Sequence, residues 1–208
     1  MNRRNISQEQ RDLFLQVLEK AADTKPTEAK AMLKSLSTEE SKAVQLIHGL
    51  ADPYYVNGLN DEGAYNLLCQ PGDGKDLNND GLLQIGAGLM YTFPPPNAPA
   101  AVKEAWQQAC SGMSSDDVML SSIIFLPLEI SANVRYNANH EPVGIISPGE
   151  PGYTNIYAQP GFTYTGLCNK YLDYLEWARS HMTPENYQRN YQLVNNFKEA
   201  LEACGTNL

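Results

Sequence analysis

The fold class is indicated most clearly by residues 183–205, TPENYQRNYQLVNNFKEALEACG. Thr183 precedes Pro184, and a capping residue followed by proline at the first helical position is typical of a helix start. Gly205 is a residue type at which helices commonly end. Between these signals, apolar side chains recur every three or four residues and form one helical face. They are Tyr187, Tyr191, Val194, Phe197 and Leu201.

Similar signals recur toward the N-terminus. Ser37 and Glu40 have the spacing of a capping box, in which two side chains close a helix start reciprocally. Pro53 ends the apolar pattern that follows. We therefore predict a mainly α fold, a single domain over residues 1–208 with seven to nine helices, one small β-hairpin and long loops. The side chains predicted for its core are Phe14, Leu46, Trp106, Ile123, Leu175 and Val194.

Residues 134–165 change character and are predicted to form an insert among the helices. Two short β-prone runs flank a polar turn, so we expect a hairpin, with strand confined to about residues 134–146. The loop at 150–164 is longer than most connections in a compact domain. Its aromatic rings either cover the core as a lid or form a surface for a protein or small-molecule partner. They are Tyr153, Tyr157, Phe162 and Tyr164.

The net charge and the short length of the apolar runs argue against two classes of function, nucleic-acid binding and membrane spanning. The net charge of −9 comes without a basic stripe, which argues against binding to the phosphate backbone of nucleic acids. The longest apolar-rich run, at 118–130, is too short to span a membrane. Residues 1–8 lack the apolar core of a signal peptide. We expect a cytoplasmic protein, or an exported one whose signal was removed or is of another kind.

The cysteines do not predict a zinc site. None of them forms a C-x-x-C pair, whereas four-thiolate zinc sites usually contain closely paired ligands. They are either small core residues or, in an oxidising compartment, members of two disulfides. Their positions are Cys69, Cys110, Cys168 and Cys204.

Residues 76–81, Asp-Leu-Asn-Asn-Asp-Gly, form the one segment whose spacing indicates specific chemistry. Oxygen-bearing side chains stand at positions 1, 3 and 5, namely Asp76, Asn78 and Asp80, and Gly81 follows at position 6. Alternate residues can direct their oxygens at one cation while glycine permits a sharp bend. An all-oxygen set favours Ca²⁺ ahead of Mg²⁺ and disfavours zinc and copper. The alternative is an ordinary polar turn, for which these residue types are also common.

The segment resembles the first half of an EF-hand or dockerin-type calcium loop over about twelve residues. The resemblance implies that Leu82 supplies its carbonyl oxygen at position 7 and that Gln84 stands at position 9. It departs from that pattern because Ala87 occupies position 12, where a bidentate acid is expected. A distant carboxylate would have to complete the metal shell. The candidates are Asp61, Glu62, Asp73 and Asp117.

No familiar catalytic motif occurs in the sequence, including G-x-S-x-G, H-E-x-x-H and the phosphate-binding glycine loops. We therefore predict a calcium-stabilised binding or protein-interaction domain in which the metal has a structural role. The alternative is a hydrolase whose active-site rim is formed by the loops near Asp76 and His140. A deep pocket that gathers His140 or His181 with carboxylates would favour the enzyme, and a flat apolar or aromatic surface near the metal would favour the binding domain.

Overall fold

The computed structural model describes residues 6–205. Residues 1–5, which belong to the segment that was predicted to lack a signal-peptide core, lie outside the described residues. Helix is the main element, which confirms the predicted fold class. The nine α-helices of the described residues are α1 Gln8–Ala21, α2 Ala29–Ser35, α3 Thr38–His48, α4 Asp61–Asn66, α5 Ala100–Ala109, α6 Ser115–Ser122, α7 Leu126–Ala132, α8 Tyr164–Ala178 and α9 Pro184–Ala203. No helix within residues 6–205 has the length and apolar character needed to cross a membrane.

The strands form two separate antiparallel hairpins. Strand β3 (Val134–Tyr136) pairs with β4 (Pro142–Ile145), within the residues where the sequence predicts a hairpin. Strand β1 (Leu83–Ile85) pairs with β2 (Gly88–Met90), so the prediction that strand is confined to about 134–146 is wrong. The run at 82–90 is too uniformly apolar to show the alternation of a half-buried strand.

Contacts divide the described chain into two compact units. Unit one contains residues 6–78 and 82–90, and unit two contains residues 79–81 and 91–205. The single domain over residues 1–208 stays a prediction, and each unit is described by itself below.

Unit one is built from α1 to α4 and the β1–β2 hairpin. Its helices begin where the sequence predicts, since the Ser37 hydroxyl accepts from the amide of Glu40 and the Glu40 side chain accepts from the amide of Ser37. Helix α1 packs against α3, and the apolar faces of the helices meet in one cluster. Its most deeply buried members include Phe14, Val17, Leu33, Val44 and Leu67.

Unit two is built from α5 to α9 and the β3–β4 hairpin, with α9 packed against both α5 and α8. Its core is rich in aromatic rings. Phe93 lies 4.4 Å from Phe125 and 4.8 Å from Trp106 between ring centroids, and Phe197 lies 5.2 Å from Trp106. Such edge and tilted pairs add to the stabilisation that comes from burying apolar area.

Four of the six predicted core side chains are buried. They are Phe14, Trp106, Leu175 and Val194. Leu46 is only half-buried. Ile123 is 51% exposed, so its assignment to the core is wrong. A short 3-10 turn at Ile123–Phe125 separates α6 from α7, and Phe125 occupies the core in its place.

All four cysteines carry free thiols. Cys110 and Cys168 are buried at apolar positions, as expected for small core residues, and no disulfide joins any two of the four.

Candidate metal centre

The loop that follows α4 is positioned by side chains on that helix. Asn60 caps α4, because its side-chain oxygen accepts a hydrogen bond of 2.7 Å from the amide of Gly63. Glu62 and Asn66 stand four residues apart, so they lie on the same face of the helix. Both side chains are buried and both contact the backbone of residues 75–84.

Glu62 binds backbone amides at both ends of the loop. Its carboxylate accepts from the amide of Leu77 at 3.0 Å and from that of Gln84 at 2.8 Å. Burial raises the pKa of the Glu62 carboxyl, the amides of Gln84 and Leu77 oppose this rise, and the negative charge of Asp76 adds to it. Glu62 therefore holds the loop through its amides.

Asn66 supplies a second clamp. Its amide nitrogen donates to the carbonyl oxygens of Lys75 at 2.9 Å and Gln84 at 2.8 Å. Its side-chain oxygen accepts from the amide of Lys75 at 2.8 Å. The entry and the exit of the loop are thus fixed to the same helix, within unit one.

The predicted ligand positions differ in exposure. Asp76 is buried, Asn78 is exposed, and Asp80, Leu82 and Gln84 are half-buried. The Gln84 side chain accepts a hydrogen bond of 2.6 Å from Asn60. Within residues 6–205, no three side chains of histidine, cysteine, aspartate or glutamate form a metal-binding group. A cation bound here would therefore need amide and carbonyl oxygens besides carboxylates, as the loop pattern implies.

The tip of the loop, residues 79–81, belongs to unit two. Its bend uses left-handed backbone, with φ of 57° at Asn79 and 88° at Gly81. The Asn155 amide donates to the carbonyl of Asn79 at 2.8 Å, and the Tyr153 hydroxyl donates to the carbonyl of Asp80 at 3.1 Å. Gly81 therefore provides the bend that the sequence predicts, and the long loop at 150–164 holds it in place.

We expect Gly81→Ala to destabilise the protein more than Gly112→Ala. Both glycines have left-handed φ, of 88° and 83°, so alanine costs about 1–2 kcal/mol of backbone strain at either site. At Gly81 the added Cβ would also lie 3.1 Å from the side-chain oxygen of Asn155, whereas nothing lies within 4 Å at Gly112. Disturbing the Asn155 hydrogen bond adds about 1 kcal/mol. Urea denaturation of both variants measures the difference, and equal losses would show that Asn155 does not constrain the bend.

Glu129, on α7 in unit two, is a carboxylate that the sequence analysis did not select. It is 4% exposed, and neither side-chain oxygen has a hydrogen-bond partner among the described residues. Burial and then the negative charge of Asp80 raise the pKa of Glu129 to about 7. The signal in the sequence was a lone acid within the apolar run at 118–130.

Asn133 connects the end of α7 to the long loop. It is almost fully buried, and its amide donates to the carbonyls of Glu129 at 3.0 Å and Thr154 at 2.9 Å. Its side-chain oxygen accepts from the amide of Thr154 at 2.7 Å. Since Tyr153 and Asn155 flank Thr154, the same loop contacts both α7 and the tip at 79–81.

Three of the four carboxylates that were candidates to complete the metal shell have other contacts. Asp61 pairs with Lys30 at 3.3 Å, and Asp117 accepts from the hydroxyl of Ser114 at 2.6 Å. Glu62 accepts the loop amides, and Asp73 is exposed.

The aromatic rings of the long loop pack inward. Tyr164 belongs to the core cluster of unit two, and Tyr157 and Phe162 pack against it. The Tyr157 hydroxyl lies 3.4 Å from that of Tyr91, and Tyr153 is half-buried. These contacts favour the lid over an exposed binding surface.

The histidines lie in different settings. His140 is exposed at the tip of the β3–β4 hairpin, with φ of 60°. His48 is half-buried and its Nε2 lies 3.1 Å from the carbonyl of Leu67. His181 is exposed, and its Nδ1 lies 3.1 Å from the hydroxyl of Ser180. The hydrolase alternative near Asp76 and His140 stays a prediction.

No protein-family model, curated protein or solved structure matches this chain.

Proposed function

We propose that this chain is a calcium-stabilised binding or protein-interaction domain in which Ca²⁺ has a structural role. The observation that carries the proposal is the way in which the segment at 76–81 is held in place by buried side chains. Oxygen-bearing residues alternate along it, and two buried side chains, Glu62 and Asn66, are committed to holding its two ends. An ordinary surface turn needs no such clamps.

The oxygen atoms of the proposed ligands suit calcium better than magnesium. The proposed ligands are the side chains of Asp76, Asn78 and Asp80, the carbonyl of Leu82, and Gln84 at position 9. Calcium accepts six to eight oxygens of mixed type in irregular geometry, whereas magnesium requires a near-ideal octahedron and usually retains several waters. Two carboxylates within the loop imply weak affinity, nearer to the millimolar range of extracellular calcium modules.

A binding role is supported by an exposed apolar surface on unit two. Leu120, Ile123 and Tyr174 are all exposed, and they line an open cavity of about 320 Å³. Trp177, which is 72% exposed, lies 6.0 Å from Tyr174 between ring centroids. Contiguous exposed apolar side chains of this kind mark interaction surfaces. The partner is a protein or a small molecule.

We expect millimolar Ca²⁺ to raise the melting temperature of the wild type. With a dissociation constant of about 0.1–1 mM, Ca²⁺ at about 1 mM adds roughly 0.4–1.4 kcal/mol to the free energy of unfolding, or about 1–6 °C for a chain of this size. Asp76→Ala combined with Asp80→Ala should abolish this rise.

The matched control is Asp23→Ala combined with Asp52→Ala, which removes the same charge from two exposed positions of unit one. This control should keep the full response to calcium. Scanning fluorimetry with and without CaCl₂ makes the comparison, and an equal response of both double variants would refute a calcium site at the loop.

A further inference from the structure

The exposed apolar surface of unit two carries an open cavity and a protruding ring side by side. Leu120, Ile123 and Tyr174 are among the side chains that line the cavity, and all three are exposed. Trp177 follows Tyr174 by one turn of α8, and their ring centroids lie 6.0 Å apart. Apolar area of this extent in contact with water favours association with a partner that covers it.

The size of the cavity indicates what kind of partner fits. Its volume of about 320 Å³ lies at the lower end of the range of ligand pockets, about 300–1,000 Å³, and it is open to solvent. It therefore suits one protruding side chain of a protein better than an enclosed small molecule. Trp177 is itself such a side chain, and tryptophan and tyrosine are among the residues that contribute most to protein interfaces. A surface with both a cavity and a protruding ring is complementary to itself.

The charged side chains at the cavity have the same property. Asp117 on α6 and Arg189 on α9 both line it and both are exposed. Neither forms an ion pair with any described residue. A site for a strongly acidic or basic partner is expected to carry the opposite sign of charge. One charge of each sign on separate helices instead fits a second copy, because a two-fold axis places Asp117 of each copy opposite Arg189 of the other.

We propose that this surface is an interface between two copies of the chain related by a two-fold axis. Trp177 of each copy covers the cavity of the other, and Asp117 pairs with Arg189 in both directions. The inference rests on the binding role proposed above, but not on the calcium site, and it names the partner as a second copy. The net charge of −9 opposes association at long range, so the dimer forms only at high protein concentration. Unfolding measured at low concentration, where the chain is monomeric, does not sense this contact.

Sedimentation velocity over a range of protein concentrations tests the interface. We expect the wild type to approach twice the mass of one chain as its concentration rises. Trp177→Ala should weaken dimerisation at least about tenfold, as the loss of a central interface aromatic does. Tyr55→Ala is the matched control, because Tyr55 in unit one is 71% exposed and Trp177 is 72% exposed. This control should dimerise like the wild type.

An exchange of charges tests the two-fold arrangement. Asp117→Arg and Arg189→Asp each place like charges opposite one another, so each variant alone should be monomeric. When the two variants are mixed, unlike charges face each other again in both pairs, and a mixed dimer should form. Damage to the fold of either variant would not be repaired by mixing. Should Asp117→Arg fail to fold, because the Asp117 carboxylate accepts from the hydroxyl of Ser114, the Trp177→Ala comparison still decides.

Three results would overturn the inference. They are a wild type that stays monomeric at all concentrations, a Trp177→Ala variant that dimerises as strongly as the wild type, and assemblies that grow beyond the dimer, since a two-fold contact closes. These results are distinct from those of the calcium test. A monomeric wild type whose melting temperature rises with Ca²⁺ overturns the dimer alone, and a dimer that does not respond to Ca²⁺ supports this interface and overturns the calcium site alone.

Discussion

Replacing Phe125 by alanine should lower the free energy of unfolding by about 3–5 kcal/mol. The Phe125 side chain is fully buried, and its ring centroid lies 4.4 Å from that of Phe93 and 5.2 Å from that of Tyr171. The rings of Trp106 and Phe197 lie within 6.5 Å. Alanine would leave a cavity at the meeting point of these rings, where few side chains can collapse into the space.

Trp177→Ala is the matched control for the loss of an aromatic ring in unit two. Trp177 is 72% exposed, so its replacement should change the free energy of unfolding by no more than about 0.5 kcal/mol. Urea denaturation followed by circular dichroism measures both variants. A loss in Phe125→Ala no greater than that in Trp177→Ala would mean that the aromatic cluster does not stabilise unit two.

The helices were predictable because their signals are local. The capping box at Ser37 and the Thr183–Pro184 start appear in the structure as the sequence predicts. Which face is buried was less predictable for α6 and the 3-10 turn that follows it. Val118, Ser121 and Phe125 turn inward, while Met119, Leu120 and Ile123 are exposed. Both faces carry apolar side chains, so periodicity could not choose between them.

The β1–β2 hairpin depends on contacts that local pattern does not contain. The amide of Gly86, at the turn, donates to the carbonyl of Gly63 on α4 at 2.9 Å. An added Cβ on Gly63 would lie 2.0 Å from the carbonyl oxygen of Gly86. The hairpin therefore relies on a close approach between two glycines 23 residues apart, and neither glycine by itself indicates a strand.

In the candidate site, too, the features within one short segment were predictable and the contacts between distant segments were not. The alternating oxygens at 76–80 and the bend at Gly81 could be predicted, because they belong to one short segment. The contacts of Asn66 could not, since they join chain segments that meet only on folding. A buried polar residue within an apolar pattern was the available signal, and it does not say which backbone it contacts.

Asn66→Ala should lower the free energy of unfolding by about 3–5 kcal/mol. Asn66 is 1% exposed and makes three hydrogen bonds to the backbone of Lys75 and Gln84. Alanine would leave two carbonyls and one amide without these bonds in a partly buried setting, and each such group costs about 1–3 kcal/mol where water cannot reach it. Because the bonds fix both ends of the loop at 76–81, the stabilisation by calcium should also decrease.

Two further variants test whether the loss of stability comes from the buried hydrogen bonds of Asn66 and not simply from removing an asparagine. Asn57→Ala removes an exposed asparagine of unit one and should cost no more than about 0.5 kcal/mol. Asn66→Asp keeps the acceptor for the amide of Lys75 but directs an oxygen at two carbonyls, so it should also destabilise the protein strongly. Urea denaturation with and without Ca²⁺ measures all three. If Asn66→Ala unfolds at the same urea concentration as Asn57→Ala, the loop is not held by α4.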